Sequence, residues 1–288
     1  MDISKTTIYS LKNLIKNPVL YVPDLFMYVL TYILTFIFYK SSGIDQFLMD
    51  YLMEGAIKIN VLQAFLNSNW FMLTVSFLVF VIVTFFVGVG VAAIKFSMIS
   101  SIVQNKKYSL IKIIFSKKSY FLRIVFLKIY VYILTIGLIL ISTIIIIANK
   151  EIINNFWGIS IKMLVTLIGI TTILALKLGI MYRYAILFLE QRQGAFKILK
   201  ESFKLFTKKP FAVFVIWLVI AIAGIGTGLI YWGIGLGAEQ IKDFITSPLG
   251  VYVFSVVVTL LIYMVRLTYN LWTQLLVFET YDTIKKEP

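Results

Sequence analysis

Six long apolar stretches constrain the fold of this chain more than any other feature. They lie at roughly 19–38, 70–94, 121–148, 161–189, 211–236 and 249–278. An apolar stretch of about 18 residues or more with few charges is typical of a helix that crosses a bilayer. Only 14% of the residues are charged, whereas about 25% are charged in an average soluble domain. The sequence therefore predicts an all-α integral membrane protein with six transmembrane helices, in a single polytopic domain over residues 1–288.

The basic residues fall mainly on one side of the predicted spans. Seventeen Lys and Arg residues lie in 1–18, 103–123, 190–210 and 279–288, and only four lie in the alternate loops 39–69, 149–160 and 237–248. Basic residues in short loops stay on the cytoplasmic side during insertion, so we expect both termini to be cytoplasmic and the protein to lie in the cell (plasma) membrane. The net charge of +14 is explained by this topology, and no nucleic acid is predicted as a partner.

A short basic segment occurs three times, each time before an odd-numbered span. The copies read YSLKNLIKNPVLYV at 9–22, YSLIKIIFSKKSYF at 108–121 and ESFKLFTKKPFAVF at 201–214. Pro18 and Pro210 can end one helix and begin the next, because the first helical position needs no backbone N–H. The spans therefore pair into three hairpins, with repeats at about 1–107, 108–200 and 201–288.

Each repeated segment also has the pattern of a helix that lies on a membrane surface. In 8–15 and 195–206, apolar residues at helical spacing occupy one side and lysines occupy the other. Such a helix places its apolar side in lipid and its lysines against anionic headgroups. We therefore expect a cytoplasmic amphipathic interfacial helix before each hairpin. Its basic residues are Lys12, Lys16, Lys117, Lys118, Lys208 and Lys209.

Three cations remain deep inside the predicted spans once those near the span ends are set aside: Lys177, Arg183 and Arg266. Ionisable residues at such positions are unfavourable, and they indicate either functional sites or ion pairs. Lys177 and Arg266 each precede an acid by thirteen residues, namely Glu190 and Glu279, and Arg183 shares a helical face with Glu190. Two interpretations stay open. The residues form an ion-pair lattice between spans four and six, or they bind an anionic ligand such as a lipid phosphate.

The other charges in the spans have simpler explanations. Asp24 follows Pro23 in the first turn of span one, where a carboxylate suits the helix dipole. Lys95 and Lys128 lie near the basic ends of their spans, from which a long side chain can reach the surface. We therefore predict no site at these residues.

Span five ends in the glycine-rich sequence GIGTGLIYWGIGLG. The spacing of Gly224 from Gly228, and of Gly233 from Gly237, is typical of helices that approach each other closely. A broken helix end that lines a cavity is the alternative. Close packing is the interpretation that we carry forward.

The composition argues against catalysis. The chain contains no Cys and no His, which excludes thiolate nucleophiles, imidazole bases and the common zinc sites. No pair of acids within the spans and no Gly-x-Ser-x-Gly sequence supplies an acid, base or nucleophile instead. We predict a protein that is not an enzyme and that needs no cofactor or metal.

Residues 182–214, YRYAILFLEQRQGAFKILKESFKLFTKKPFAVF, resemble the most recognisable segment of an uncharacterised family of six-helix bacterial and archaeal membrane proteins. A similar segment occurs in the membrane domain attached to some glycerophosphodiester phosphodiesterases. The matching positions are Tyr184, Glu190, Ala195, Ser202, Lys208 and Pro210. The resemblance implies the six-helix topology for the whole chain, and it carries over no catalytic residue.

These observations favour a non-enzymatic membrane protein with an accessory or scaffold role, whose partners are membrane lipids with anionic headgroups. The alternative is a transporter or exporter subunit for an anionic or amphipathic substrate, acting with other membrane or ATPase subunits. In that case Lys177, Arg183 and Arg266 line the path. A transport path needs polar side chains that converge inside the bundle from several spans, whereas a scaffold has an apolar centre.

Overall fold

The computed structural model describes residues 2–54, 59–106, 118–148, 156–190, 194–245 and 247–286. These residues form ten α-helices and one 3-10 turn, and they contain no strand. The elements are α1 (Ile3–Lys16), the 3-10 turn (Pro18–Leu20), α2 (Tyr21–Ser42), α3 (Ile44–Glu54), α4 (Ile59–Val103), α5 (Lys118–Ala148), α6 (Phe156–Gly179), α7 (Arg183–Glu190), α8 (Ala195–Lys208), α9 (Pro210–Lys242) and α10 (Pro248–Lys286).

Six helical segments are long and apolar enough to cross a membrane. They are Pro18–Ser42, Val61–Val103, Tyr120–Ile141, Met163–Glu190, Pro210–Lys242 and Pro248–Lys286. Each overlaps one predicted stretch, so the prediction of an all-α chain with six such helices is confirmed. Large apolar side chains such as Ile133, Leu164 and Leu249 are more than half exposed. Lipid covers such side chains, whereas a soluble protein rarely exposes so many. The fold is therefore that of a multi-pass membrane protein.

The chain divides into two compact units. The smaller unit, Val22–Lys95, contains α2 from Val22, α3 and most of α4. The larger unit contains Met1–Tyr21 and Phe96–Pro288. The amphipathic helices α1 and α8 both belong to the larger unit.

In the smaller unit, α2 and α4 run antiparallel. Ser41 Oγ donates a hydrogen bond to Ser76 Oγ at 3.0 Å, and Lys95 Nζ lies 2.8 and 3.1 Å from the two carboxylate oxygens of Asp24. Asp24 and Lys95 were expected to act separately, one with the helix dipole and one at the surface. Asp24 does lie in the first turn of α2, as predicted, but its partner was missed, because the two side chains form an ion pair between consecutive spans.

A single glycine separates α2 from α3. Gly43 has φ +72°, a left-handed conformation that glycine adopts at no steric penalty. Across this turn Lys40 Nζ lies 2.5 Å from the Asp45 carboxylate. The hydrogen bond from Lys40 holds the pKa of Asp45 below its ordinary value.

Aromatic rings form the centre of the larger unit. Phe96 of α4 stacks on Tyr184 of α7 with 4.4 Å between ring centroids, and on Phe278 of α10 with 5.8 Å. Tyr120 of α5 stacks on Phe188 of α7 at 4.7 Å. Spans two, three, four and six therefore meet in one aromatic core, next to which α7 leads into α8.

The two described copies of the repeated segment are helices, as predicted, and each packs against other spans. α1 packs on α10, whereas α8 packs on α5, α6 and α7. Ser10 and Ser202, which occupy matching positions in the two copies, are both fully buried. Of the third copy, Lys117 lies outside the described residues, and Lys118 is the first residue of α5.

The chain makes the same bend after α1 and after α8. Asn17 has φ −124° and ψ 66°, and Lys209 has φ −130° and ψ 57°. A residue that precedes proline is driven out of the helical region by the proline ring, so both helices end there. Pro210 is the first residue of α9, and Pro18 begins the 3-10 turn that leads into α2. The predicted break at each proline is confirmed.

The glycine-rich part of span five neither breaks the helix nor packs as predicted. α9 runs without interruption through all of these glycines. A Cβ atom on Gly224 would lie 2.8 Å from the hydroxyl oxygen of Tyr269, so this glycine does allow a close approach. At Gly228, Gly233 and Gly237 a Cβ would meet no atom within 4 Å. Within the described part of this chain, the close packing is therefore limited to Gly224.

Candidate anion-binding cavity

Span four is interrupted near one end. α6 ends at Gly179 and α7 begins at Arg183, with a turn over Ile180–Tyr182 between them. The ring of Phe203, from α8, packs directly over Gly179, where an added Cβ would lie 2.9 Å from Cζ and nearer still to other ring atoms. Only glycine allows this approach, so α8 is seated on the end of α6 through the backbone.

Arg183 stabilises the interruption and remains partly unsatisfied. Its backbone N–H and its Nη1 both donate to the carbonyl oxygen of Ile180, at 3.2 and 2.9 Å. Its guanidinium lies 4.6 Å from the centroid of the Tyr184 ring, within cation–π distance. Its Nε is buried and has no hydrogen-bond partner among the described residues. A buried donor without a partner indicates space for a ligand or a water.

A cavity of about 320 Å³ adjoins the turn. Its described lining consists of Phe96, Lys177, Met181, Arg183, Tyr184, Trp217, Ile220, Thr273, Gln274, Val277 and Phe278. This lining contains two cations and no acid. Oε1 of Gln274 is buried and has no partner in the described part of the chain.

The lining defines the kind of ligand that the cavity can hold. The guanidinium and the ammonium can bind a phosphate or carboxylate through charge-assisted hydrogen bonds. Oε1 of Gln274 can accept a hydrogen bond from a ligand hydroxyl. The remaining walls are largely apolar and aromatic, which suits a hydrocarbon part of the same molecule. The cavity therefore fits an anionic amphiphile.

The structure brings together two of the three predicted cations. Lys177 and Arg183 line one cavity, and Lys177 makes no hydrogen bond or ion pair with any described residue. Arg266 lies outside the lining. It is seven residues from Thr273 on the same face of α10, about 10 Å along the helix, and its charge acts on Tyr231 of α9.

Glu190 pairs with different residues from those expected. It accepts hydrogen bonds from the Tyr281 hydroxyl and from Lys285 Nζ, the latter at 2.8 Å, and both donors belong to α10. Within the described residues no ion pair joins it to Arg183 or Lys177. Spans four and six are thus linked by an ion pair, but it contains none of the three cations of the predicted lattice. The cation in this link is Lys285, which the sequence analysis did not single out.

A buried acid, Glu279, links α1 to α10. One carboxylate oxygen of Glu279 accepts a hydrogen bond from Asn13 Nδ2 at 2.7 Å. The other oxygen is buried and has no partner in the part of the chain that the structure describes. The sequence indicated Glu279 only by its spacing from Arg266, and nothing in the sequence pointed to Asn13.

Comparison with protein families, with curated proteins and with solved structures finds no match to this chain. The cavity is therefore the feature of the molecule that bears on its function.

Proposed function

We propose that this chain is a non-enzymatic multi-pass membrane protein with an accessory or scaffold role, which binds the anionic headgroup of a membrane lipid in the cavity at the turn in span four. One observation carries the proposal. Lys177 and Arg183 line the same cavity, whose described lining contains no acid. The Nε of Arg183, which has no hydrogen-bond partner among the described residues, supports the proposal. A headgroup with a phosphate and a hydroxyl would satisfy both Arg183 and Gln274.

The test compares lipid binding by variants in a protein purified in detergent. Arg183→Leu and Lys177→Leu should each lower the affinity for phosphatidylglycerol about tenfold or more, because each removes a charge-assisted contact. Native mass spectrometry measures the bound lipid, with phosphatidylcholine, whose headgroup is zwitterionic and has no hydroxyl, as the reference of zero net charge.

Two further variants separate binding from folding. Lys242→Leu removes an exposed cation at the other end of α9 and should leave binding unchanged. Because Arg183 also bonds the Ile180 carbonyl, the exposed Lys177 is the safer position for judging the proposal. Unchanged affinity in folded Lys177→Leu and Arg183→Leu proteins would contradict it.

We also propose the membrane arrangement that the sequence predicts. The spans form three hairpins, α1 and α8 lie at the cytoplasmic surface of the plasma membrane, and both termini are cytoplasmic. This rests on the distribution of basic residues and on the shared bend before Pro18 and Pro210. Because the chain lacks cysteine, the variants Lys5→Cys and Glu239→Cys each carry a single thiol, whose labelling reports the side of the membrane on which that position lies. An impermeant maleimide applied to intact cells should label only the second, and the reverse pattern would refute the arrangement.

Transport of an anionic or amphipathic substrate is the second candidate function. Two observations favour it: span four is discontinuous beside the cavity, and Arg266 lies two turns farther along the same face of α10. In proteoliposomes, Arg266→Leu should then slow the movement of a labelled anionic lipid between leaflets while leaving binding at the cavity intact. Binding without any such movement would favour the scaffold role. Co-purification of an ATPase or another membrane subunit would favour transport.

We also propose that this chain is related to the six-helix family that residues 182–214 resemble. In this structure Tyr184 lines the cavity, Glu190 links α7 to α10, and Ser202 is fully buried. Three of the matching positions thus have packing or site roles here. A relative with intermediate sequence that keeps these residues would support the relationship.

A further inference from the structure

A second cavity lies on the other side of α10. It is a groove of about 370 Å³ between α1, α9 and α10, lined by Leu11, Ala223, Thr227, Leu261, Met264, Val265, Thr268, Tyr269 and Trp272. Along α10, Thr268 and Trp272 point away from the face that carries Gln274 and Val277, because successive residues turn by about 100°. The groove is therefore separate from the cavity at Lys177.

The polar groups of the two cavities differ in whether they already have hydrogen-bond partners within the protein. In the groove, the hydroxyls of Thr227, Thr268 and Tyr269 each donate to a backbone carbonyl oxygen, at 2.8, 2.8 and 2.9 Å. In the first cavity, Arg183 Nε and Gln274 Oε1 have no described partner. The groove thus offers no hydroxyl proton to a ligand, and its remaining walls are apolar. Hydrocarbon is the chemistry that such a surface favours.

The dimensions of the groove match one lipid chain. Leu261 and Trp272 are eleven residues apart on α10, which is about 16 Å at 1.5 Å per residue. Half of a hydrocarbon core of roughly 30 Å is about 15 Å, the depth of one leaflet. The indole N–H of Trp272 donates to no described residue. A tryptophan with a free N–H is typical of the level where hydrocarbon meets the polar region of a bilayer.

α1 places a basic residue beside one end of the groove. Leu11 lines the groove, and Lys12, the next residue, is exposed. Ile15, one turn beyond Leu11, is 73% exposed, so the apolar strip of α1 continues past the groove. Lysines beside an apolar strip on a surface helix attract anionic headgroups.

We propose that this groove seats one acyl chain of an anionic glycerophospholipid, with its ester region at Trp272 and its headgroup against Lys12. The site is independent of the cavity in span four, so neither proposal requires the other.

The test uses tryptophan quenching by brominated lipid. One protein keeps only Trp272 and another keeps only Trp232, which is 67% exposed and reports lipid at random contact. Both are placed in phosphatidylcholine bilayers with a small fraction of phosphatidylglycerol that carries brominated chains. Quenching of Trp272 should exceed that of Trp232 severalfold and should saturate as the fraction rises. Equal quenching of the two, in proportion to the fraction, would overturn the proposal.

A matched pair of substitutions places the effect in the groove. Val265→Phe fills part of the groove and should reduce the quenching of Trp272 severalfold, whereas Val256→Phe, at an exposed position of α10 outside the groove, should not change it. Both variants must unfold at the temperature of their parent. An effect of Val256→Phe as large as that of Val265→Phe would count against the groove.

The headgroup is tested separately. Phosphatidylcholine with the same brominated chains should quench Trp272 less, and Lys12→Gln should remove the difference between the two lipids. Equal quenching by both lipids in the unsubstituted Trp272 protein would overturn the anionic part of the proposal.

Discussion

The helices α1 and α8 come from the same repeated sequence, and the structure uses them differently. They share a fully buried serine, Ser10 or Ser202, and the same backbone bend at the residue before the proline. α8 buries its apolar side on three helices and rests on Gly179 through Phe203. Among the described helices, α1 packs mainly on α10.

The difference lies in what each helix leaves exposed. In α8, Ile198 and Leu199 are buried. In α1, Ile8, Leu11 and Ile15 are 64%, 47% and 73% exposed. A repeated sequence can therefore specify a bend without specifying a partner, because the partner depends on the residues around the repeat. α8 packs against the end of span four, whereas α1 leaves an apolar strip exposed.

The largest expected difference is between the same Ile→Ala truncation at a buried position of α8 and at an exposed position of α1. Ile198→Ala opens a cavity under α8 and should lower the free energy of unfolding by about 2–5 kcal/mol. Ile8→Ala removes a mostly exposed side chain of α1 and should change it by less than about 0.5 kcal/mol. Thermal unfolding in detergent measures both. Equal losses would show that α1 is packed as tightly as α8.

Gly179→Ala tests the contact between α8 and span four. The added methyl group overlaps the Phe203 ring and should destabilise the protein by about 1–3 kcal/mol, with loss of lipid binding at the Lys177 cavity. Adding Phe203→Ala should restore binding, because the double variant removes the overlap. Gly228→Ala, where a Cβ meets no atom within 4 Å, is the control and should be close to neutral. If the double variant failed to bind lipid, the contact of Phe203 with Gly179 would not explain the effect of Gly179→Ala.

The link between Asn13 and Glu279 tests how α1 is held. Asn13→Ala leaves the buried carboxyl group without its described donor and should cost about 1–3 kcal/mol of stability. The double variant Asn13→Leu with Glu279→Met replaces both partners by apolar groups and should recover most of this loss. Thermal unfolding of Asn13→Leu, of Glu279→Met and of their double variant gives the coupling energy between the two residues in a double-mutant cycle. Additive losses would mean that the hydrogen bond contributes little.

The smallest effect concerns the feature that the two helices share. Pro18→Ala and Pro210→Ala should each lower stability by only about 0.4–1 kcal/mol, because proline mainly restricts the unfolded chain. The bend is alike at both sites, so the two losses should be alike. Chemical denaturation in mixed micelles resolves differences of this size only with repeated measurements. A clear inequality would show that the two bends are not equivalent.

Long apolar stretches made the six spans predictable, and the prolines and lysines made α1, α8 and the start of α9 predictable. The turn in span four was not predictable, since 161–189 reads as one long apolar stretch and contains no proline, and Gly179 is required only because Phe203 packs on it. The partners of Asp24, Glu190 and Glu279 also escaped prediction. Each partner is on another helix, and periodicity along one helix says nothing about a neighbour.

Lys177 and Arg183 were predicted as candidate residues, and the structure places both at one cavity. Arg266 belonged to the same prediction and lies two turns away. Spacing along the sequence could not separate them, because the separation depends on how α10 is rotated against α6 and α7.

The ion pair of Asp24 and Lys95 has a consequence for how the first two spans reach the bilayer. A lone ionised side chain within a span is unfavourable, by less near the span ends, where Asp24 and Lys95 lie, than the roughly 2.5–3.5 kcal/mol that insertion scales give at the helix centre. Inserted separately, α2 would carry an uncompensated negative charge and α4 an uncompensated positive one. Side by side, with nitrogen and oxygen 2.8 Å apart, the two charges offset each other. The pair therefore makes these two helices more stable in a bilayer side by side than apart, because each charge is then compensated by the other.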